Sequence, residues 1–460
     1  MENITLFEKT PPLKLFFKAA IPGSIGMLAS AIYLFFDGVI ISRLLGETAF
    51  AAFNLTIPIV VLNFGFADLI GLGSSVSIAI LLGEKKFEKA SKIFSLSCFT
   101  ILISSTILGI LLFLFAPSIL HSLGATGELA RQSIRYLRVY ALFSPLTTIT
   151  FAVDNYLRIC GKIKFSMFLN ILMSFLCISL EILFLYFLNF ELIGAALANC
   201  IAFFICTLIA FSQFFYKDSS LKFCKFKIEL ELLKSIFING MPTFLNNVAS
   251  RITNILFNYL LLCLGGVSAV SVYGILMSIE AFILPVLYGM CDALQPALGY
   301  NWGAKNYSRV KEIEKYCLIA SAVTSIVTSS ILFFFTDEIA SLFIIKKDET
   351  FIMAIPALII YATTYLTRWF SFAIQSFMSA IGKFSFATII SLCVSFIFPI
   401  ISIPILWNLK LTGLWWNSSI TSMLTGIISM LLLKKLLRNF KQKNIRSEER
   451  RVGKECRSRW

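Results

Sequence analysis

Residues 93–117 read IFSLSCFTILISSTILGILLFLFAP, a run without one charged side chain. A helix crosses the hydrocarbon core of a bilayer with roughly 20 consecutive apolar residues, and this run is long enough. A strand of a membrane barrel would be shorter and would alternate apolar with polar positions. This run does neither. Eleven further apolar stretches accompany it, at about 15–42, 49–82, 133–160, 165–190, 193–216, 233–264, 268–302, 313–337, 352–381, 385–409 and 412–437. Composition agrees, since 58% of the 460 residues are hydrophobic and 14% charged, against roughly 45–50% and 25% in soluble domains. A soluble fold of this length could not hide that much apolar surface. A soluble enzyme, a nucleic-acid-binding module and a disordered chain are thereby excluded. The expected fold is an all-α membrane protein of twelve transmembrane helices.

Lys and Arg set the orientation. With both chain ends on one side, that side carries 24 of them in loops and helix ends, and the other side carries 7. By the positive-inside rule both termini are cytoplasmic, in a multi-pass protein of the plasma membrane. The net charge of +15 is mostly this topological signal, so nucleic acid is not an expected partner. The 11 Cys form no CxxC pair, and the single His is His121. Zinc, haem and a disulfide scaffold find no support, and no cofactor is expected. No cleavable signal peptide is visible ahead of the first apolar run.

The chain repeats itself. LGETAFAAF (45–53) resembles LGGVSAVSV (264–272) at an offset of 219, and GEKKFEKA (83–90) resembles GAKNYSRV (303–310) at 220. LRICGK (157–162) matches MSAIGK (378–383) at 221, Gly194 matches Gly413 at 219, and the pair Gly65 and Asp68 recurs as Gly289 and Asp292 at 224. Five weak matches in one order make a six-helix unit used twice. An even number of helices gives both copies the same topology, related by an axis along the membrane normal. The expected divisions are an N-terminal lobe at 1–216, a cytoplasmic linker at 217–232, a C-terminal lobe at 233–440 and a basic tail at 441–460. Within the tail, RSEERRVGKECRSRW (446–460) has six basic and three acidic side chains and no apolar period. It reads as an appended, non-native segment, with a solvated tail as the plain alternative, and carries no part of the fold argument.

Charges inside the spans cost about 2.5–3.5 kcal/mol each at a helix centre, so each needs an account. The acids are Asp37, Asp68, Asp154, Glu181, Glu280 and Asp292, and the mid-span bases are Arg251 and Arg368. Asp68 and Asp292 sit at matching places by the 224 offset, which favours one shared structural job. Glu280 is expected to neutralise Arg251 or Arg368, with contact to substrate as the alternative for these charges and for Asp154. Asp37 corresponds to Leu256 and Glu181 to Ile400 at an offset of 219. A symmetric scaffold needs no acid in one copy alone, so these two point to function. By helix rise, Asp37, Glu181 and Asn199 differ in depth by only about 6 Å. If their helices adjoin, two carboxylates and an amide share one pocket. Two such acids cannot both stay ionised and empty there; one holds a proton or the pair holds a cation. A structural role for Asp37, such as capping a kink, is the plain alternative. Pro22 removes a backbone hydrogen bond inside the first helix and marks a hinge.

These residues resemble a known family. FFDGVIISRLLGETAFAAFNLTIPI (35–59), YLRICGK (156–162), GAALAN (194–199), NGMPTF (239–244) and above all GMCDALQPALGYNWGAKNYSRV (289–310) are similar to segments of multidrug and toxic compound extrusion (MATE) transporters. The likeness covers about residues 1–440. It implies two six-helix lobes that alternate access and exchange a proton or sodium ion for organic cations, in a monomer within the lipid bilayer. It also implies a cation site in the N-terminal lobe. The family's first-helix aspartate falls on Asp37, and its fifth-helix acid falls on Glu181. Cys177 stands where relatives have Asn, and Asn199 where they have Thr. The only metal this would hold is Na⁺ at Asp37 and Glu181. Some members carry a seventh-helix glutamate where this chain has Ser250 followed by Arg251, so a C-lobe cation site of that kind is not expected. Two rivals remain at this stage. A lipid-linked oligosaccharide flippase of similar architecture would want a cationic cleft, and a polytopic membrane enzyme would need a nucleophile–base pair at one depth. No GxxxxGK[ST] segment supports an ATP-driven pump.

Overall fold

The computed structural model describes residues 5–216, 219–344 and 349–457, with side chains as far as Arg438. Lys217, Lys346 and Lys347 of the charge tally, and the last three residues of the 446–460 segment, lie outside the described residues. Inside lipid a backbone must satisfy its own polar groups, which the apolar runs do as helices. No strand occurs among the described residues.

The first half contains α1 (Pro12–Leu45), α2 (Glu47–Gly83), α3 (Phe87–Ser122), α4 (Gly127–Ile159), α5 (Ile163–Ile182, continued by a π-helical turn at Leu183–Phe187) and α6 (Leu192–Ser212). The second half opens with one helical run, Leu230–Gly303, that breaks at Gly266, where φ is 64°. The break separates α7 (230–265) from α8 (267–303). Then come α9 (Tyr307–Phe334), α10 (Glu349–Ala380), α11 (384–406, with a π-helical turn at Cys393–Ile397) and α12 (Lys410–Arg457). Among the described residues ten continuous runs are long and apolar enough to cross a membrane, and two of them, Leu230–Gly303 and Phe384–Arg438, each hold two of these helices. Twelve spans result.

The turns fix the repeat register. Gly46 and Gly266 both take positive φ, 84° and 64°, as do Lys85 and Lys305 at 60° each, and Gly161 and Gly382 at 78° and 74°. The offsets are 220, 220 and 221. Residue identity alone aligned Gly46 with Gly265; the backbone aligns it with Gly266. The helices α2 (Glu47–Gly83) and α8 (267–303) then correspond without a gap. This corrects the pairing of Asp68 with Asp292. The counterpart of Asp68 is Tyr288 and that of Asp292 is Leu72, one helical turn away from the expected match.

Within the first half α1 packs on α5, α2 on α3 and α4, and α6 on α4 and α5; within the second, α10 packs on α8, α9 and α12. The halves meet through α1 and α2 against α7 and α8. Their fasteners lie on the side of the termini. Ser24 Oγ donates to the Val286 carbonyl at 2.8 Å, and Asn239 Nδ2 donates to Ser77 Oγ at 3.0 Å. Asn301 Nδ2 and Arg309 Nε donate to the carbonyl of buried Phe7 at 3.1 and 2.9 Å, and Arg309 also donates to the Thr10 carbonyl. After α6 the chain crosses the start of α3, where the amides of Lys222 and Cys224 donate to Ser91 and Ser95.

At the centre of this contact Gly83 lies against the Tyr300 carbonyl and Gly303 against the Ile80 carbonyl. All four residues obey the 220 offset, so the pseudo-twofold axis passes between them. A Cβ on either glycine would fall inside van der Waals contact of the facing backbone, and overpacking of that kind costs about 1–3 kcal/mol. Gly303→Leu is therefore expected to lower the melting temperature in detergent. Gly426→Leu, at a helix position with open space around it, should not. An unchanged melting temperature in Gly303→Leu would show that the lobes do not depend on this contact.

Candidate functional site

Two polar regions stand out, one in each half. In the first, Asp37 on α1, Glu181 and Cys177 on α5, and Asn199 on α6 are each at most 1% exposed. The packing of α5 between α1 and α6 brings them together: Asp37 faces both Glu181 and Asn199. One turn before Asp37, Tyr33 reaches Cys177, while Tyr140 on α4 faces Asn199 and Tyr136. One oxygen of Asp37, both of Glu181 and both amide heads of Asn199 lack a hydrogen bond of good geometry. No Lys or Arg forms an ion pair with either acid among the described residues. Buried polar atoms left open in this way are rare in folded chains. The arrangement offers oxygen ligands to a small cation, or a carboxyl pair that shares a proton.

The sequence placed Asp37, Glu181 and Asn199 at one depth, and the structure gathers them. It did not point to the three tyrosines. The available signal was spacing, since Tyr33 stands four residues before Asp37 and Tyr136 four before Tyr140, on one helix face each. The π-helical turn directly after Glu181 is a second sign, because such turns collect at functional sites.

The second region lies among α7, α8, α10 and α11. Arg368 donates to both oxygens of Glu280, at 2.9 and 3.1 Å, and Tyr361 donates its hydroxyl to the same carboxylate. Of the two bases expected to neutralise Glu280, the structure selects Arg368. Arg251 is exposed instead and lines a cleft of about 420 Å³, into which Glu280, Arg368, Asn254 and Gln375 also project. A narrower arm of about 130 Å³ continues from it past Tyr273, Tyr361 and Asn417. The π-helical turn of α11 contributes Val394 and Ser395 to both parts, and Thr253 bonds the Ser395 carbonyl at 2.6 Å.

The remaining candidates separate into structural and open cases. Asp154 pairs with Arg158 one turn later at 2.6 Å and accepts from Ser166 and Asn170 of α5. That network clamps α4 to α5. Asp292 accepts from Gln295 and Ser376 at 2.8 and 3.0 Å. Asp68 lies near Asp292 and Asp154 but holds no hydrogen bond of its own among the described residues. The shared job expected for Asp68 and Asp292 is thus contradicted by both register and partners. Pro22 is buried inside α1, which passes it as one unbroken helix. His121 closes a loop on the Ala125 carbonyl at 2.9 Å. No cluster of three or more His, Cys, Asp or Glu suited to a metal occurs among the described residues.

The MatE family model matches residues 22–186 and 242–405, one stretch in each repeat. The chain belongs to the MATE family. Across 443 residues it is 27% identical to the multidrug export protein MepA of Staphylococcus aureus, covering 94% of this chain and 96% of that one. The corresponding protein of Staphylococcus saprophyticus is 26% identical over 439 residues, with the same coverage. An outward-facing MATE transporter of the MOP superfamily superposes with a TM-score of 0.90 at 23% identity, over 96% of this chain and 99% of that one. A MATE structure in a bent conformation gives 0.89 at 23% identity and the same coverage. At such identities the structural likeness carries the fold. The chain is a multi-pass MATE transporter, its described residues forming twelve membrane-spanning helices in two like lobes.

Proposed function

We propose that this transporter is an antiporter, exporting small organic cations of the multidrug type in exchange for a proton or a sodium ion, without catalysis of any bond change. The observation that carries the reading is the buried, unpaired acid pair Asp37 and Glu181 beside Asn199 in one lobe only. A scaffold that needs symmetry alone would not keep two uncompensated acids in lipid. A cation or proton neutralises the pair. Binding it favours one arrangement of the lobes and losing it favours the other, which is how a ligand shifts a two-state equilibrium. On this reading α1 transmits the change by bending at Pro22, and the fasteners on the side of the termini release during the swing. A one-for-one exchange of monovalent cations moves no net charge, so the concentration gradient of the coupling ion does the work, at about 1.4 kcal/mol per tenfold ratio. The coupling ion is cargo here, so no resident cofactor is invoked, and the relatives named for multidrug export support drug-like small molecules as the exported cargo.

The charge bias of the loops supports a cytoplasmic location for both termini and the 217–231 joint, in what this reading takes to be a monomer of the plasma membrane. A cysteine placed at Ser220, in a variant stripped of its native cysteines, is expected to react with an impermeant maleimide only after the membrane is opened. Labelling in intact cells would invert the topology.

A further inference from the structure

We infer that the C-lobe cleft binds the acidic group of the transported molecule through Arg251, so that the preferred cargo carries a carboxylate beside its cationic centre. The inference rests on the export reading above and narrows its substrate class. Three charges line the cleft, Arg251, Arg368 and Glu280. Glu280 is fully engaged, with both oxygens on Arg368 and one also taking the Tyr361 hydroxyl. What the cleft offers a guest is therefore one uncompensated guanidinium. Arg251 holds no ion pair among the described residues, and its side chain is exposed.

Its depth makes this informative. Arg251 stands 15 residues before the break at Gly266 and 21 after the start of the helical run at Leu230, near the middle of α7. An intramembrane arginine facing lipid would be costly, and one facing a cavity marks a pathway. A structural reason from the repeat is also missing. At the 220 offset the counterparts of Arg251, Glu280 and Arg368 are Ala31, Val60 and Thr148, none of them charged. The buried acid pair of the N-terminal lobe thus has, in the other lobe, a bare base open to the cleft.

The cleft suits an organic guest. Its volume of about 420 Å³ falls within the usual range for small-molecule sites. Tyr288 and Phe372, stacked with ring centroids 3.9 Å apart, form part of its wall, against which a flat ring system can lie. Guanidinium binds carboxylate through two parallel hydrogen bonds. Charge-assisted bonds of this kind are worth about tenfold or more in affinity.

A matched pair of dyes tests this: rhodamine B, a cation that carries a carboxylate, and its ethyl ester, the cation alone. Binding is read by fluorescence anisotropy on the purified full chain in phosphatidylcholine nanodiscs. The wild type should bind rhodamine B about tenfold more tightly than the ester. Arg251→Gln should erase that preference while leaving the ester's affinity in place, and Arg251→Lys should keep part of it. Equal affinities in the wild type, or a preference that survives Arg251→Gln, would overturn the inference. Nanodiscs with phosphatidylglycerol form a second arm. Displacement of rhodamine B by that lipid, dependent on Arg251, would assign the base to a lipid headgroup and overturn the cargo assignment. The measurement is made at equilibrium with no gradient, so a failure of coupled export would leave it standing. Conversely, gradient-driven export of the ester at the rate of the acid would keep the export reading and remove this one.

Discussion

Asp37→Asn is expected to reduce gradient-driven efflux to the leak of protein-free liposomes, while the protein still inserts and elutes as a single symmetric peak in detergent. The substitution keeps shape and removes the charge. Asp37 is buried against Glu181 and Asn199 with no basic partner, so neutralising it mimics the loaded site permanently. The lobes then lose the difference in free energy that the ion should supply. Because no ion pair is broken, stability should hold or rise. Glu181→Gln leaves Asp37 in place and should shift the proton or sodium dependence without silencing transport. Glu181→Asp, which shortens the acid by one methylene, should be tolerated. Efflux by Asp37→Asn at the wild-type rate would make this acid structural, and the bare carboxylate of Asp68 would become the next place to look for the ion.

The second large effect is on stability. Glu280→Gln should lower the melting temperature by several degrees, since it strands the Arg368 guanidinium in a largely buried site, and breaking such a pair costs about 3 kcal/mol or more. Adding Arg368→Gln should restore part of the loss by removing the stranded charge. Arg251→Gln serves as the contrast. It removes a base of similar depth that has no partner among the described residues, and the melting temperature should stay within a degree or two. A Glu280→Gln protein as stable as the wild type, with altered transport, would assign Glu280 to the substrate instead.

Much of this was legible in the sequence for physical reasons that can be named. The twelve spans were readable because lipid demands long apolar helices, and the repeat because turns demand glycine or positive φ at fixed places, as at Gly46 and Gly161. Register was harder. Gly265 and Gly266 are adjacent and identical, and only the backbone shows that Gly266 makes the turn. The recurrence of Gly and Asp at 224 was a coincidence of composition, since α2 and α8 align at 220. Depth arithmetic sufficed to group Asp37, Glu181 and Asn199, because each lies within two or three turns of a helix end that the sequence marks. It did not suffice to choose between Arg251 and Arg368 for Glu280. Both lie near mid-span, and the choice depends on which face of α7 and α10 turns toward α8. The Asp154–Arg158 pair was open to recognition by its spacing of four residues, a local rule that needs no fold.

The most direct test of the account is rhodamine efflux from proteoliposomes of the wild-type chain, with a pH gradient and a sodium gradient imposed in separate experiments. Antiport through the Asp37–Glu181 site predicts uphill efflux under at least one of the two gradients, collapsing when that gradient is dissipated by an ionophore and missing in Asp37→Asn. Efflux at one rate with either gradient, with both and with neither would contradict it, and would leave the buried acids without the role proposed for them.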